Sequence, residues 1–154
     1  MKKILMIISV MMFSMTSFAQ VGTTSVGVHF DYMIDSPKNP GIGANVGWEF
    51  MDNVRGVAQF DYFFKKDGVS AWNVNVNAEY LFRIADGKFS IYPLAGVNVL
   101  GWSGDINSDS KLGLNIGAGV EVPLASSVSF KAEYVYKTQY NGISTLNLGL
   151  VFPF

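Results

Sequence analysis

Apolar and polar residues alternate with a period of two along most of this chain. Between 72 and 83, Trp72, Val74, Val76, Ala78, Tyr80 and Phe82 take one set of alternate positions. Asn73, Asn75, Asn77, Glu79 and Arg83 take the other, with Leu81 the exception. In 112–122, Leu114, Ile116, Ala118, Val120 and Val122 alternate with Gly113, Asn115, Gly117, Gly119 and Glu121. That period belongs to β-strands, whose successive side chains point to opposite faces. Eight such segments are expected, at about 22–33, 41–50, 54–64, 70–83, 88–101, 111–122, 127–140 and 143–154. Each is near or above the roughly 9–11 residues that a tilted membrane-spanning strand needs. Tight turns are expected at Met51-Asp52-Asn53, Ala85-Asp86-Gly87 and Pro123 to Ser126. The other connections are 34–40, 65–69, 102–110 and Asn141-Gly142. The tight turns follow the second, fourth and sixth strands, so both termini fall on the short-turn side.

Alternation alone leaves open which face points outward. Hydrophobic residues make up 49% of the chain and charged residues 15%, whereas a soluble surface carries about 25–35% charge. Beyond the N-terminus no segment is a continuous apolar helix. A closed barrel is then the way to satisfy every backbone N–H and C=O within a bilayer. The aromatics of the apolar face sort by height. Trp48, Phe50, Tyr80, Phe82, Phe89, Phe130, Phe152 and Phe154 fall at the end holding the termini. Phe30, Tyr32, Tyr62, Phe64, Trp72, Tyr136 and Tyr140 fall towards the other, with Val74, Val76, Ala78, Ala95, Val97, Ile116 and Leu148 between. Two aromatic girdles around an aliphatic band predict an apolar face towards lipid. The polar face carries Gly27, Gly43, Gly47, Gly96, Gly113, Gly117, Gly119 and Gly149, small residues suited to the narrow lumen of an eight-stranded barrel.

The N-terminus reads as a secretory signal: Lys2 and Lys3, an apolar stretch from Ile4 to Phe13 broken by Ser9, then Ser17-Phe18-Ala19. The stretch is shorter than the roughly 20 residues of a membrane helix. Residues 1–19 are therefore expected to be cleaved, leaving a barrel domain over 20–154. Two of the 11 basic residues leave with it, so 9 basic stand against 12 acidic residues, a balance of −3. Neither nucleic acid nor a polyanionic substrate is implied. There are no cysteines, which excludes disulfides and structural thiolate metal sites.

The signal segment, the eight alternating strands, Tyr92-Pro93-Leu94-Ala95-Gly96-Val97 and the terminal Phe154 together resemble the small OmpA/OmpX-like outer-membrane barrel family. The resemblance implies an all-β fold: an eight-stranded antiparallel up-and-down transmembrane β-barrel in the outer membrane of a Gram-negative bacterium. It further implies that the closing strand, with Leu150, Phe152 and Phe154, is the assembly signal read by the outer-membrane insertion machinery. Outer-membrane lipid and lipopolysaccharide are the expected surroundings, and a monomer is expected.

Glu49, Arg55, Asp61, Glu79, Arg83, Glu121, Lys131, Glu133 and Lys137 lie on the polar face. A lipid-facing Arg or Lys would cost about 2–4 kcal/mol at the midplane, and an unpaired charge in a narrow lumen is also costly. A lumen charge network is therefore expected from Glu49, Arg55, Glu79, Arg83, Glu121, Lys131 and Glu133, with Glu49 roughly across from Arg55. Such a network is either a plug or a polar path for small ions; geometry favours the plug, because side chains can fill an eight-stranded interior. His29, the single histidine, has Asp31 two residues on and Ser25 four before. Some small outer-membrane barrels are lipid A deacylases or acyltransferases and use such residues, but no local signature is present, and a polar residue near the outer rim is expected. One histidine does not suggest a transition-metal site, and no cofactor is expected. Asp105, Asn107 and Asp109 read as a solvated loop lacking the calcium-loop spacing. Lys65 and Lys66 could meet lipopolysaccharide phosphates, with Phe63 and Phe64 beside them as girdle residues. The expected function is that of a small closed barrel with a structural or surface-interaction role and no catalytic residues. The alternatives are a minor porin-like channel and a lipid A-modifying hydrolase centred on His29.

Overall fold

A computed structural model describes Lys3 and residues 24–34, 39–66, 68–85, 88–104, 108–139 and 142–153. Its strands are β1 (Thr24–Met33), β2 (Pro40–Met51), β3 (Val54–Lys66), β4 (Val69–Tyr80), β5 (Phe82–Ile84), β6 (Phe89–Gly104), β7 (Ser108–Ala125), β8 (Val128–Lys137) and β9 (Ile143–Pro153). All pairs are antiparallel, in the order β4-β3-β2-β1-β9-β8-β7-β6-β5, and β4 also pairs with β6. That last pairing closes the sheet. Since β5 continues β4 beyond Leu81, the nine segments make eight staves. No helix among the described residues is long and apolar enough to cross a membrane; the strands are the spanning elements.

The interruption at Leu81 has a chemical cause in the facing strand. Glu79 pairs with Leu94, and Phe82 pairs with Ile91. Both pairs belong to one register, so the ladder skips only Tyr80 opposite Pro93 and Leu81 opposite Tyr92. Proline has no N–H to donate across a ladder. Leu81 donates its own N–H to Asn53 O at 2.7 Å. Asn53 closes the two-residue turn between Met51 and Val54 with φ of 64°, a left-handed conformation that asparagine tolerates better than most residues.

The hydrophobic pattern is inverted relative to a soluble protein. Glu79, Asp61, Asn73 and Lys137 are at most 2% exposed, whereas Leu112, Leu114 and Ile116 are 60% or more exposed. Outward-facing Val28, Ile42, Val76 and Val97 alternate with inward-facing Gly27, Gly43, Asn77 and Asn98. Water would penalise that exterior, and lipid would not. Trp48 and Phe50, and Tyr80 and Phe82, stand as ring pairs near the end where the described termini lie; Tyr62 and Phe64 pair near the other. Phe60 is also outward-facing, between the girdles. Tyr140 and Phe154 lie outside the described residues, as do residues 4–19 of the expected signal segment.

Two expectations change in detail. The connection expected over 102–110 is largely strand, with pairing up to Ser103 and Ser108. Backbone hydrogen bonding can extend a hairpin beyond lipid, where neither face must be apolar and alternation no longer marks the strand. The turn expected at Pro123 to Ser126 lies later, because β7 runs to Ala125 through a register shift after Pro123.

Candidate functional site

The inward side chains form layers along the barrel. Near the terminal end, Arg55 donates from Nε to Glu79 Oε2 at 2.7 Å and from Nη2 to Glu121 Oε2 at 2.8 Å. Lys131 Nζ lies 2.8 Å from Glu133 Oε2 and 3.4 Å from Glu79 Oε1. The Tyr92 hydroxyl donates to Glu133 Oε2 at 2.8 Å. Its ring lies 5.5 Å from the Arg55 guanidinium and 5.6 Å from Lys131 Nζ, within cation–π range of both. Glu79, which contacts both cations, is 2% exposed. Leu81, Tyr92, Leu94 and Val135 form an apolar cluster beside these ions. Leu81 thus joins the inward set, where strand parity places it.

At the rim, Arg83 donates to both Glu49 carboxylate oxygens at 2.9 Å and to Asn53 Oδ1 at 2.6 Å. Glu49 is opposite Arg55 in the β2–β3 register, but its ion pair is with Arg83. Arg55 instead turns inward to Glu79 and Glu121.

Further along, His29 Nε2 lies 2.7 Å from Asp61 Oδ1, and Asn45 Nδ2 lies 3.1 Å from His29 Nδ1. Asp61 also accepts from Gln59, Asn73 and Asn75 at 2.8–3.0 Å. A belt of amides continues around the wall: Asn115 donates to Asn75 and Asn77, Asn98 to Asn115, and Gln139 to Asn98. His29 is buried in the lumen, not placed at the rim as expected. Asparagine-rich strand faces carried the available sequence signal for this belt.

Glycines permit several of these contacts. His29 and Asp61 lie on β1 and β3, with Gly43 of β2 between them in register. A Cβ there would collide with His29 Nε2 and Asp61 Oδ1. Gly119 lies likewise between Tyr92 and Glu133, and Gly113 beneath Gln139. Side chains two strands apart meet because the intervening strand presents no side chain.

The end opposite the termini is apolar inside. Met33, Phe63, Ala71, Leu100 and Ile143 form a buried cluster, with Trp102 against it. Phe63 is 0% exposed, so it is a lumen residue and not a girdle residue as expected; Phe64 faces outward. Phe63 shares the parity of Asp61, and that parity was the legible signal. Between the layers, a gap of about 10 Å³ lined by His29, Asn45, Lys131, Glu133 and Asn147 is on the scale of a single water.

The sequence matches the model of the outer membrane protein beta-barrel domain over residues 6–154. The chain belongs to this family. Among solved structures, the N-terminal β-barrel domain of Pseudomonas aeruginosa OprF is similar at 17% identity and a TM-score of 0.72, covering 86% of this chain and 98% of that one. Ail, the attachment invasion locus protein of Yersinia pestis, is similar at 21% identity and a TM-score of 0.59, covering 86% and 99%. The outer membrane protein OprG from Pseudomonas aeruginosa is similar at 13% identity and a TM-score of 0.63, covering 87% and 96%. These likenesses concern the fold. No curated protein matches the sequence.

In this outer-membrane β-barrel, β9 closes the sheet between β8 and β1. Leu150 and Phe152 of the expected assembly signal face outward, and Phe154 lies outside the described residues. The hydrogen bonds of His29 go to Asp61 and Asn45, not to Ser25, whose Oγ lies near Gly47. Of the expected 105–109 loop, residues 105–107 lie outside the described residues, and Asp109 is exposed strand.

Proposed function

We propose that this barrel is closed to solutes and serves the outer membrane as a structural or surface-interaction component, with its termini on the periplasmic side. The single observation carrying this reading is that three different fillings lie in series along the lumen. They are the Arg55–Glu79–Lys131 ion network, the Asp61–asparagine belt and the Met33–Phe63–Leu100 apolar cluster. An ion would have to displace all three. A catalytic role finds no support at His29, whose partners are two aspartates and an amide; nucleophilic hydrolysis needs a hydroxyl within hydrogen-bond reach of the base. The exterior suits lipid and lipopolysaccharide. Leu150, Phe152 and Phe154 are assigned to recognition by the assembly machinery, the protein acts as a monomer, and export follows from residues 1–19. The test is electrical. Folded protein reconstituted into planar bilayers should leave the baseline conductance unchanged. Reproducible single-channel steps, abolished by Glu79→Ala or Arg83→Ala, would replace this reading with a minor channel.

A further inference from the structure

We propose that His29, Asp31 and Asp61 form a binding site inside the barrel for a first-row divalent transition-metal ion. One ligand atom from each residue lies within 4.8 Å of the other two. His29 Nε2 is 3.3 Å from Asp31 Oδ2 and 2.7 Å from Asp61 Oδ1. Zinc bonds to imidazole and carboxylate are roughly 2.1 Å long, which makes a tetrahedral edge of about 3.4 Å. The Asp31 separation already matches that edge, and the Asp61 separation has to open by about 0.7 Å.

Asp31 supplies the second, independent observation. It is 0% exposed, and apart from the 3.3 Å contact of Oδ2 with His29 Nε2 neither carboxylate oxygen has a hydrogen-bond partner. An unsatisfied buried carboxylate is costly, and a cation against Oδ2 would satisfy it. Lys137 acts electrostatically on both aspartates, while its Nζ hydrogen bond goes to Thr145 Oγ1 at 3.3 Å. Two carboxylates face Lys137 and the His29 imidazole, and a divalent ion bound at Nε2 would take the place of any proton the ring carries there.

The surrounding shell is that of a positioned ligand set. Gln59 donates to both Asp61 carboxylate oxygens, and Asn73 and Asn75 donate to Oδ2, which holds the carboxylate in place. Asn45 stands at His29 Nδ1. With a metal on Nε2 the ring hydrogen moves to Nδ1, and the Asn45 amide turns its oxygen to accept it. Gly43 leaves open the space where Nε2 and Asp61 Oδ1 converge. A bound ion would tie β1 to β3 across β2.

The test uses full-length protein folded in detergent, stripped with a chelator, incubated with Zn²⁺ and desalted. About one zinc per chain should remain. X-ray absorption should report one imidazole among oxygen ligands; His29 is the single histidine, so an imidazole signal identifies the site. Asp31→Asn keeps the side-chain shape, gives up only the charge of the 3.3 Å contact with His29, and should weaken zinc affinity at least about tenfold in chelator competition. His29→Gln should abolish stoichiometric retention. Heat-modifiable gel migration checks that each variant is folded. Wild-type protein that retains no zinc, a spectrum without imidazole, or a folded Asp31→Asn variant with wild-type affinity would overturn the site and leave a histidine bridging two carboxylates as its structural role.

Discussion

The two ends of the lumen are closed by opposite chemistry. At the terminal end, Arg55 and Lys131 share Glu79 and each has a further carboxylate partner. At the other end, Met33, Phe63, Ala71, Leu100 and Ile143 pack together without an ion pair among them, with Lys137 Nζ 5.8 Å from the Phe63 ring centre. Both fill the same narrow cylinder, so geometry alone does not select the filling. They differ in how they fail. An ion network stripped of one partner leaves a desolvated charge, whereas an apolar cluster stripped of one side chain leaves a space that water can enter. The ionic end should therefore dominate stability, and the apolar end should act as the simpler seal.

The strongest test of that contrast is Glu79→Ala. It removes the carboxylate shared by both cations and should cost about 3–5 kcal/mol in detergent unfolding titrations. A cost below that of trimming the apolar end would reverse the ranking. Phe63→Ala comes next, at about 3 kcal/mol, the lower end for a buried phenylalanine because water can fill the space. Because the asparagine belt lies between the two ends, neither single variant nor the double variant should pass bilayer current; current from a single variant would identify that end as the sole barrier. Gly43→Ala probes the layer between them. Its Cβ would push His29 from Asp61, at about 1–2 kcal/mol, and an unchanged unfolding midpoint would show that the contact is dispensable. The smallest effect is expected from Arg83→Ala. Arg83 pairs with Glu49 at the rim with its side chain 44% exposed, so the loss should stay below about 1 kcal/mol and shrink as salt is added.

The period of two, the inverted sidedness and the girdles were legible along the chain, because a lipid exterior and a crowded interior each constrain alternate residues locally. Val74, Val76, Asn75 and Asn77 declare their faces from their neighbours alone. Parity also placed Phe63 and Leu81 inside, but residue type suggested otherwise, and parity prevailed because a paired strand cannot rotate one side chain to the opposite face. Where lipid no longer acts, the signal faded: the β6–β7 hairpin continues past Trp102 on backbone bonds that turn-rich composition concealed.

The amino-acid sequence by itself determined the strands, the outward face and the need for inward charges to find partners. Only the tertiary structure decided which partners these are. Arg55 and Glu121 are 66 residues apart, Tyr92 and Glu133 are 41 apart, and His29 and Asp61 are 32 apart. Closing the sheet brings them across a lumen too narrow for them to avoid one another. Strand register then selects the partners: it puts Gly43 between His29 and Asp61 and Gly119 between Tyr92 and Glu133, and register is a property of the closed sheet, not of any one strand.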